Sequence, residues 1–331
     1  MNASEILRRY TSGELDFRGI NLRGVYLSGV DLIGVDLSSG DLSNANLAMA
    51  YLSRINLRRA NLTNAKLCGA NLNQANLSAA NLSDSDFHGA TLQGADLRRA
   101  NISLAVFLDA NLTDADMRGV NLQGADLRGA CLRGANLRKE QRIFEGANLR
   151  GANLRGADMR GVNLQGADLT KADLSRANLT EASLREANLS QANLSEAILD
   201  NVFLTEATLI EANFSWAVMT NARLERAVLI DTEFAGANLR GAFLPDVKLS
   251  NASLIMADLS RANLVRADLS RANLNQANLS EADLTDAYLA KTDFRDAILH
   301  RTSLMRADLS TANLAGAQWR GTIMPNGEMH G

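Results

Sequence analysis

The stretch DMRGVNLQGADL occupies residues 116–127, and it returns letter for letter at residues 158–169, which is 42 residues later. Inside the first copy an apolar residue stands at every fifth position, as Met117, Leu122 and Leu127. Self-similarity at a short fixed period is typical of repeat architectures, so this period decides the fold.

The five-residue spacing extends through most of the chain. It runs from Phe17 to Leu137 without a gap, which gives 25 positions, and from Phe144 to Trp319, which gives 36 more. We call this apolar position i. Position i−2 is usually alanine and position i−1 is mostly Asn or Asp, as in the triplet Ala60–Leu62. Positions i+1 and i+2 complete each repeat.

A period of five matches neither a continuous helix nor a continuous strand. On a helix, five residues rotate the side chain by about 140°, so the leucines would form no stripe. On a strand, an odd period would place successive leucines on opposite faces. The pattern therefore predicts a chain that turns a corner once per repeat, with positions i and i−2 pointing inward. The Gly, Asn, Asp and Ser residues between the sides agree with tight turns.

The triplets Ala60–Leu62 (Ala-Asn-Leu) and Ala257–Leu259 (Ala-Asp-Leu) resemble the repeat of the pentapeptide-repeat family. The resemblance covers about residues 15–324. The helical start and the ending of the chain resemble those of cyanobacterial members of the family. The resemblance implies an all-β solenoid: a right-handed quadrilateral parallel β-helix of about fifteen coils, with four repeats per coil. Residues twenty apart would then stack, as Phe87 and Phe107 are spaced.

The domain organisation expected from this pattern is simple. Residues 1–14 form a capping helix with Ser4 as its N-cap, and Ile6, Leu7 and Tyr10 lie on one side of it. Residues 15–324 form a single β-helix. Pro325, Asn326 and Gly327 form a turn that stops the array, and residues 325–331 are a C-terminal tail.

One interruption stands inside the array, at residues 138–143. The spacing from Leu137 to Phe144 is seven rather than five, which predicts a slip of two residues at a corner. With those two residues discounted, the duplicated stretches are 40 residues apart and would lie in the same stacking column. A tolerated surface insertion and a binding loop both fit this interruption.

Composition limits the classes of protein. The net charge is −3, there is no run of 18 apolar residues, and residues 1–14 lack the apolar core of a signal peptide. Cys68 and Cys131 are 63 residues apart, on separate coils, so we expect no disulfide and a cytoplasmic protein.

The chain contains no recognisable catalytic or cofactor constellation. Its three histidines, His88, His300 and His330, are scattered, and no Cys or His cluster has metal-ligand spacing. Ser, Asp and Asn recur with the repeat, so a triad assembled from them would be accidental. We therefore expect a protein that is not an enzyme, with no cofactor and no metal.

Charge is segregated along the sequence. Residues 118–160, the basic band, contain nine basic and four acidic residues, a balance of +5. Residues 181–233 contain nine acidic and three basic residues, a balance of −6. Arg138, Lys139 and Arg142 lie at the centre of the basic band and are candidate partner-binding residues.

The acidic segment also contains the poorest match to the repeat. Apolar residues replace Asn or Asp at five i−1 positions, and a tryptophan stands at a neighbouring outward position. With the twenty-residue stacking period these residues would lie on adjacent coils, with Arg223 between two of the rings. A contiguous outward apolar group is typical of an interface, although repeat decay or rings folded over the corners would also explain it. We call this group the apolar patch: Ile198, Phe203, Trp216, Val218, Val228 and Phe243.

These features favour a non-enzymatic scaffold for protein–protein interaction. The partner would be a protein with a basic rim or a second copy of this chain, and neither a membrane nor nucleic acid is expected. The resemblance implies one alternative, a DNA mimic that inhibits a type II topoisomerase. A direct nucleic-acid binder is a third hypothesis, but the basic band lacks interleaved aromatic residues.

Overall fold

A computed structural model describes residues 1–139 and 146–331. The chain divides into two compact units, unit 1 at Met1–Asp168 and unit 2 at Leu169–Gly331. The named elements are helix α1 at Ala3–Thr11 and the strands β1 at Thr322–Ile323 and β2 at Met329–His330. Nearly all other regular pairing consists of single parallel bridges between residues at position i−1.

The bridges join residues twenty apart. In unit 1 Asp16 pairs with Asp36, and in unit 2 Asp173 pairs with Asn193. Because twenty residues are four repeats, one coil of this parallel β-helix contains four repeats. The predicted stacking period is therefore confirmed within each unit.

Each repeat is held by the same set of backbone hydrogen bonds. The Leu22 N–H donates to the carbonyl of Asp41 at 2.7 Å, and the Gly24 N–H donates to Ser43 at 2.9 Å. In return, the Asp41 N–H donates to Ile20 at 2.8 Å. These bonds join neighbouring coils, so the backbone polar groups are satisfied along the stacking direction.

The corners require a left-handed residue at position i+2. The Ala60 N–H donates to the Leu57 carbonyl at 2.9 Å across one corner, and Arg59 between them has a φ of 57°. A hydrogen bond from residue four to residue one with positive φ at the third residue is the pattern of a type II turn. Glycine adopts this φ without strain, as at Gly24, but many corners hold Asn, Asp, Arg or Glu instead.

The preference for Asn or Asp at position i−1 follows from the same corner. The side-chain oxygen accepts the backbone N–H of residue i+1, as from Ser38 to Asp36 at 2.8 Å and from Thr63 to Asn61 at 3.2 Å. The side chain thus satisfies a backbone donor that takes no part in the ladder of hydrogen bonds between neighbouring coils. An apolar residue at i−1 cannot supply this acceptor.

The core is built from the predicted inward positions. The leucines at position i and the alanines at i−2 are buried through nearly all of both units. Phe87 and Phe107 stack with their centroids 4.6 Å apart, and Phe214 and Phe234 stack at 5.1 Å, as their spacing of twenty predicts. Where threonine replaces alanine at i−2, its hydroxyl finds an inward carbonyl, as Thr232 does at Leu209, 3.0 Å away.

The predicted N-terminal helix is present, but its cap is different. Asn2, not Ser4, is the N-cap, because its side chain accepts the Glu5 N–H at 2.9 Å. Ile6 is fully buried, and the guanidinium of Arg9 lies 5.1 Å from the ring centroid of Phe17, the first inward residue of the repeats. The helix therefore packs against the first coil.

The expected C-terminal tail is a hairpin. Strand β2 pairs antiparallel with β1, so that His330 lies opposite Thr322. The predicted turn is confirmed, since the Gly327 N–H donates to Met324 at 2.9 Å and Gly327 has a φ of 87°. The ring of His330 lies 6.1 Å from that of Trp319. Only two residues of each strand pair, yet the chain end folds back on the last repeats.

The interruption is larger than the expected two residues. Bridges that span twenty residues elsewhere span 27 here, as between Asn121 and Asn148 and between Asn136 and Asn163, so this coil is seven residues longer. Five of these seven residues equal one whole repeat. Adding a whole repeat leaves the period of the apolar residues unchanged, so the sequence revealed only the other two. Residues 140–145, including Arg142, lie outside the described residues.

The duplicated stretches consequently do not share a column, which corrects the expected register. Asp116 pairs with Asn136, which pairs with Asn163, whereas Asp158 pairs with Cys131. The second copy is therefore displaced by one side of the coil relative to the first.

We expect deletion of residues 139–145 to leave unit 1 folded. The junction would read Ala-Asn-Leu-Arg-Gly-Ala-Asn-Leu, an uninterrupted repeat, and Gly146 would occupy position i+2 in place of Lys139. The free energy of unfolding should stay equal or rise, because the closure entropy of the extra segment is removed. Far-ultraviolet circular dichroism and urea unfolding measure this.

The matched control deletes seven residues from a regular coil, residues 101–107. Seven is not a multiple of five, so the downstream leucines would turn outward and unit 1 should unfold. Loss of structure in the 139–145 deletion, or tolerance of the 101–107 deletion, would contradict the coil assignment.

A second prediction tests the inward and outward positions. Leu179 is fully buried, and its replacement by Asp should destabilise the protein by several kcal/mol, because an unpaired charge enters the core. The neighbouring Thr180 is partly exposed, and Thr180→Ser should change the free energy of unfolding by less than about 0.5 kcal/mol. Denaturant unfolding of both variants is the measurement, and similar losses would show that the assignment is wrong.

A third prediction concerns acid stability. Hydrogen bonds from the hydroxyl and the N–H of Ser43 hold the pKa of Asp41 below its usual range. A carboxyl with a lowered folded pKa stabilises the fold above its unfolded pKa of about 3.9, and this contribution is lost as pH falls through the folded value. Asp41→Asn removes the titration and keeps the acceptor, as Asn81 does for Asn101.

The free energy of unfolding should therefore fall less in Asp41→Asn than in the unchanged protein between pH 6 and pH 2.5. Urea unfolding at the two pH values gives both differences. An equal or larger fall in the variant would show that the Asp41 carboxylate does not stabilise the folded state.

Candidate partner-binding surface

The apolar patch lies within unit 2, and its members stack as the spacing predicts. Ile198 pairs with Val218 on one side of the coil. On the next side Phe203 pairs with Arg223, which pairs with Phe243. The structure also places Val228 beside Thr208 and Lys248, on a third side.

Arginine and phenylalanine alternate on the side that carries Phe203. The guanidinium of Arg185 lies 4.4 Å from the ring centroid of Phe203, and that of Arg223 lies 5.7 Å from the centroid of Phe243. Such cation–π contacts contribute about 0.5–1 kcal/mol each at exposed sites. Arg185 was not among the predicted site residues, although its position two residues after Ser183 places it on the same side.

Arg223 is held in place by a half-buried carboxylate. Its Nη2 lies 2.6 Å from Glu225 Oε1, and Glu225 Oε2 accepts the Thr205 hydroxyl at 2.9 Å. Burial pushes the pKa of Glu225 upward, but hydrogen bonds from its own N–H, Arg223 and Thr205 outweigh burial and hold the pKa below its usual range. Glu225 is therefore a stable negative partner that orients Arg223.

Trp216 occupies a corner in a conformation that is uncommon for a bulky side chain. It has a φ of 61° and is 61% exposed. Its indole lies over Gly236, one coil further on, where an added Cβ would come within 2.5 Å of the ring. Met256, twenty residues beyond Gly236 on the same corner, is also exposed. Met256 was not predicted, although its spacing of forty from Trp216 was a signal.

The members of the patch differ in exposure. Ile198, Trp216 and Phe243 are exposed, whereas Phe203, Val218 and Val228 are half-buried. The contact of Arg185 with Phe203 accounts for part of this burial. The surface available to a partner is therefore centred on the three exposed members.

The apolar residues replace the acceptor that position i−1 normally supplies to the corner. Phe243 is followed at i+1 by Pro245, which has no N–H, so that corner needs no acceptor. After Ile198, the i+1 residue is Asp200, whose N–H lacks the side-chain acceptor that Asn or Asp supplies at other corners. The Asp200 side chain adds a second loss, because its Oδ1 is buried without a hydrogen-bond donor among the described residues. The patch therefore forgoes local stabilisation at several corners.

Acidic residues of unit 2 flank the patch, and several are paired in a ladder along one corner. Ion pairs join Glu206 to Arg226, Asp246 to Arg266 and Asp286 to Arg306, at N–O distances of 2.5 to 2.6 Å. The hydrogen bond from Arg266 holds the pKa of Asp246 below its usual range. Within the predicted acidic segment, Glu206 is thus neutralised by a residue one coil further on, and the same arrangement recurs beyond the segment at Asp246 and Asp286.

The basic band is partly neutralised within unit 1 by pairs that join two residues of one repeat. Arg128 pairs with Asp126 at 2.6 Å and Arg160 with Asp158 at 2.7 Å, each on its own side of the coil. Arg138 is exposed, whereas Lys139 is half-buried, and the aliphatic stem of Lys139 lies over the corner at Gly166.

Other kinds of site find no support in the described part of the chain. Residues 1–139 and 146–331 contain no group of three His, Cys, Asp or Glu side chains placed to hold a metal ion. No helix within these ranges has the length and apolar character needed to cross a membrane. Cys68 and Cys131 are free and partly exposed.

The family model for pentapeptide repeats (8 copies) matches the chain in overlapping segments that cover residues 14–139 and 144–301. No curated protein matches the chain.

Solved structures that resemble the chain include two whose descriptions name pentapeptide repeat proteins. HetL, a pentapeptide repeat protein involved in heterocyst differentiation regulation in the cyanobacterium Nostoc sp. strain PCC 7120, is 26% identical over 100% of both chains, with a TM-score of 0.27. The pentapeptide repeat protein alr5209 from Nostoc PCC 7120 is 38% identical over 30% of this chain and 80% of its own, with a TM-score of 0.29.

QnrB1, a plasmid-mediated fluoroquinolone resistance protein, is 19% identical over 71% of this chain and 94% of its own, with a TM-score of 0.28. The repeat matched by the family model is the one whose corners, ladder and core both units display. The chain belongs to the pentapeptide-repeat family.

Proposed function

We propose that this chain is a non-enzymatic scaffold that binds a protein partner through the apolar patch of unit 2. The observation that carries the proposal is the exposure of Ile198, Trp216 and Phe243 on neighbouring sides and corners. Aromatic residues and arginine are enriched at the centres of protein interfaces, and here Arg185 and Arg223 stand among the rings.

The local cost of the patch supports a role beyond neutral drift. Asn or Asp at i−1 would satisfy the corner donor, and glycine or a polar residue at position 216 would relieve the strain of a tryptophan at positive φ. Trp216 instead stands opposite Gly236, which alone leaves room for the indole. The pairing of Trp216 with Gly236 supports the view that the exposed indole ring has a function.

The surroundings of the patch favour a partner with a basic rim. Residues 181–233 contain nine acidic and three basic residues, so acids remain in excess after Glu196 and Glu206 pair with Arg176 and Arg226 at 3.0 and 2.5 Å. A second copy of this chain is the alternative partner, since its basic band could meet the same acids. The free cysteines favour a cytoplasmic setting. For each unit we infer a right-handed, four-sided coil, which the ladder spacing of twenty supports.

The alternatives have weaker support. Inhibition of a type II topoisomerase by DNA mimicry requires a dense row of free carboxylates, whereas the corner acids Glu206, Asp246 and Asp286 are each paired with arginine. The basic band around Arg138, Lys139 and Arg142 is the second candidate surface if the apolar patch proves neutral.

The test replaces Phe203, Trp216 and Phe243 by Ser together. Serine occupies the corner position of Trp216 at Ser39, with a φ of 58°, and position i−1 at Ser183 and Ser253, so the backbone should tolerate the changes. Circular dichroism and thermal melting should stay close to the unchanged protein. Self-association in sedimentation velocity, or capture of the cognate partner from native cells, should weaken at least tenfold, which is about 1.4 kcal/mol.

The matched control replaces Tyr26, Tyr51 and Tyr288 by Ser, since these exposed aromatics stand at i−1 outside the patch. It should keep both the fold and the association. Unfolding of the patch variant would assign the rings to the core. If the patch variant folds and binds as tightly as the control, the interface lies outside the apolar patch. The basic band would then be the next candidate.

A further inference from the structure

Unit 1 carries a depression of about 440 Å³ between two arginine doublets, Arg58–Arg59 and Arg98–Arg99. The doublets occupy positions i+1 and i+2 of repeats that are forty residues apart. Forty residues are two coils, so backbones of the same column are separated by about 10 Å, twice the strand spacing. On the coil between them the same two positions hold Ser78 and Ala79, whose short side chains leave the space open.

The acid that lines the depression is already neutralised. Asp96 Oδ2 lies 2.6 Å from Arg98 Nη2, and Asp96 Oδ1 accepts Arg98 Nε at 2.8 Å. Burial pushes the pKa of Asp96 upward, but the hydrogen bonds from Arg98 outweigh burial and keep the pKa below its usual range. Asp96 therefore carries its charge in a bidentate pair and does not offset the other arginines.

The other doublet is uncompensated. Neither Arg58 nor Arg59 forms an ion pair with any residue in the described ranges, and both are exposed. Arg59 is fixed at a corner with a φ of 57°. The wall thus presents two positive charges without an ion-pair partner among the described residues, and they face the second doublet across the depression.

The floor adds one unused donor, the Asn76 amide, while the Ser78 hydroxyl donates to Asn76 and is left as a neutral acceptor. Asn76 Oδ1 accepts the Ser78 N–H at 3.1 Å and the Ser78 hydroxyl at 2.6 Å. Its amide nitrogen has no acceptor among the described residues. The unused polar groups of Arg58, Arg59 and Asn76 are therefore all donors, so the complementary ligand is rich in negatively charged acceptors.

We propose that this depression binds a small compound carrying two or more linked phosphates. Guanidinium groups bind phosphate oxygens in bidentate fashion, and walls two coils apart suit a row of anionic groups rather than one. The volume is that of a small-molecule site. Nucleic acid fits less well, because none of the residues lining the depression is aromatic, and bases would find no stacking platform.

The test is isothermal titration of the full chain with tripolyphosphate, with orthophosphate and a twelve-nucleotide single-stranded DNA as comparison ligands at the same ionic strength. The variant is Arg58→Gln with Arg59→Gln. Glutamine already stands at i+1 at Gln93 and at i+2 at Gln74, where φ is 59°, so the fold accepts it. Tripolyphosphate affinity should fall at least tenfold in the variant.

The matched control is Arg23→Gln with Arg133→Gln, which removes the same charge from exposed i+1 positions outside the depression. It should bind tripolyphosphate like the unchanged protein. Equal losses in both double variants would show that binding follows net charge alone and would overturn the site. Equal affinity for orthophosphate, tighter binding of the DNA, or no binding of tripolyphosphate would each overturn the proposed ligand class.

Discussion

The structure depends on one constraint of the main chain: a left-handed residue at nearly every fifth position of the described repeats. With φ near 57° at Arg59 and its equivalents, the chain turns a corner and still aligns each N–H and C=O with the adjacent coil. A non-glycine residue pays about 1–2 kcal/mol for this conformation. The ladder outweighs that penalty because every repeat adds hydrogen bonds along the stacking direction and buries a leucine and an alanine.

The same constraint aims the corner side chains along the coil axis. A residue at i+2 reaches toward the corner of the next coil, and glycine there leaves room for it. Met49 lies over Gly69, and Trp216 lies over Gly236 in the same way. Polar corner residues use this direction for ion pairs, as Arg266 does with Asp246. The chemistry of the surface is therefore arranged in columns of residues twenty apart.

Much of this was predictable from the period. The inward positions, the twenty-residue stacking and the phenylalanine pairs all follow from the five-residue spacing, because a single corner geometry satisfies it. The size of the interruption was not predictable, since an extra repeat leaves the apolar spacing unchanged between Leu137 and Leu149. The N-cap was misassigned because Asn2 and Ser4 are both good capping residues, and only the hydrogen bond to Glu5 separates them.

The surface was predictable in position but not in environment. Spacing alone placed Phe203, Arg223 and Phe243 in one column, but burial by Arg185 depends on side-chain direction. The arginine doublets escaped notice because each looks like an ordinary solvated pair. Their spacing of forty residues was visible in the sequence. The ion pair with Arg98 that neutralises Asp96, and so leaves the depression positively charged, was not.

The ladder spacing of twenty also bears on how the chain folds. Almost every contact between coils closes a loop of the same short length, so the mean sequence separation is small relative to 331 residues, a ratio of about 0.06. Folding can then begin at any stable coil and propagate to its neighbours. The hazard lies in repeats that look alike, because a growing end could add a coil one repeat out of place. The paired rings of Phe87 and Phe107, and of Phe214 and Phe234, distinguish the correct register from its neighbours.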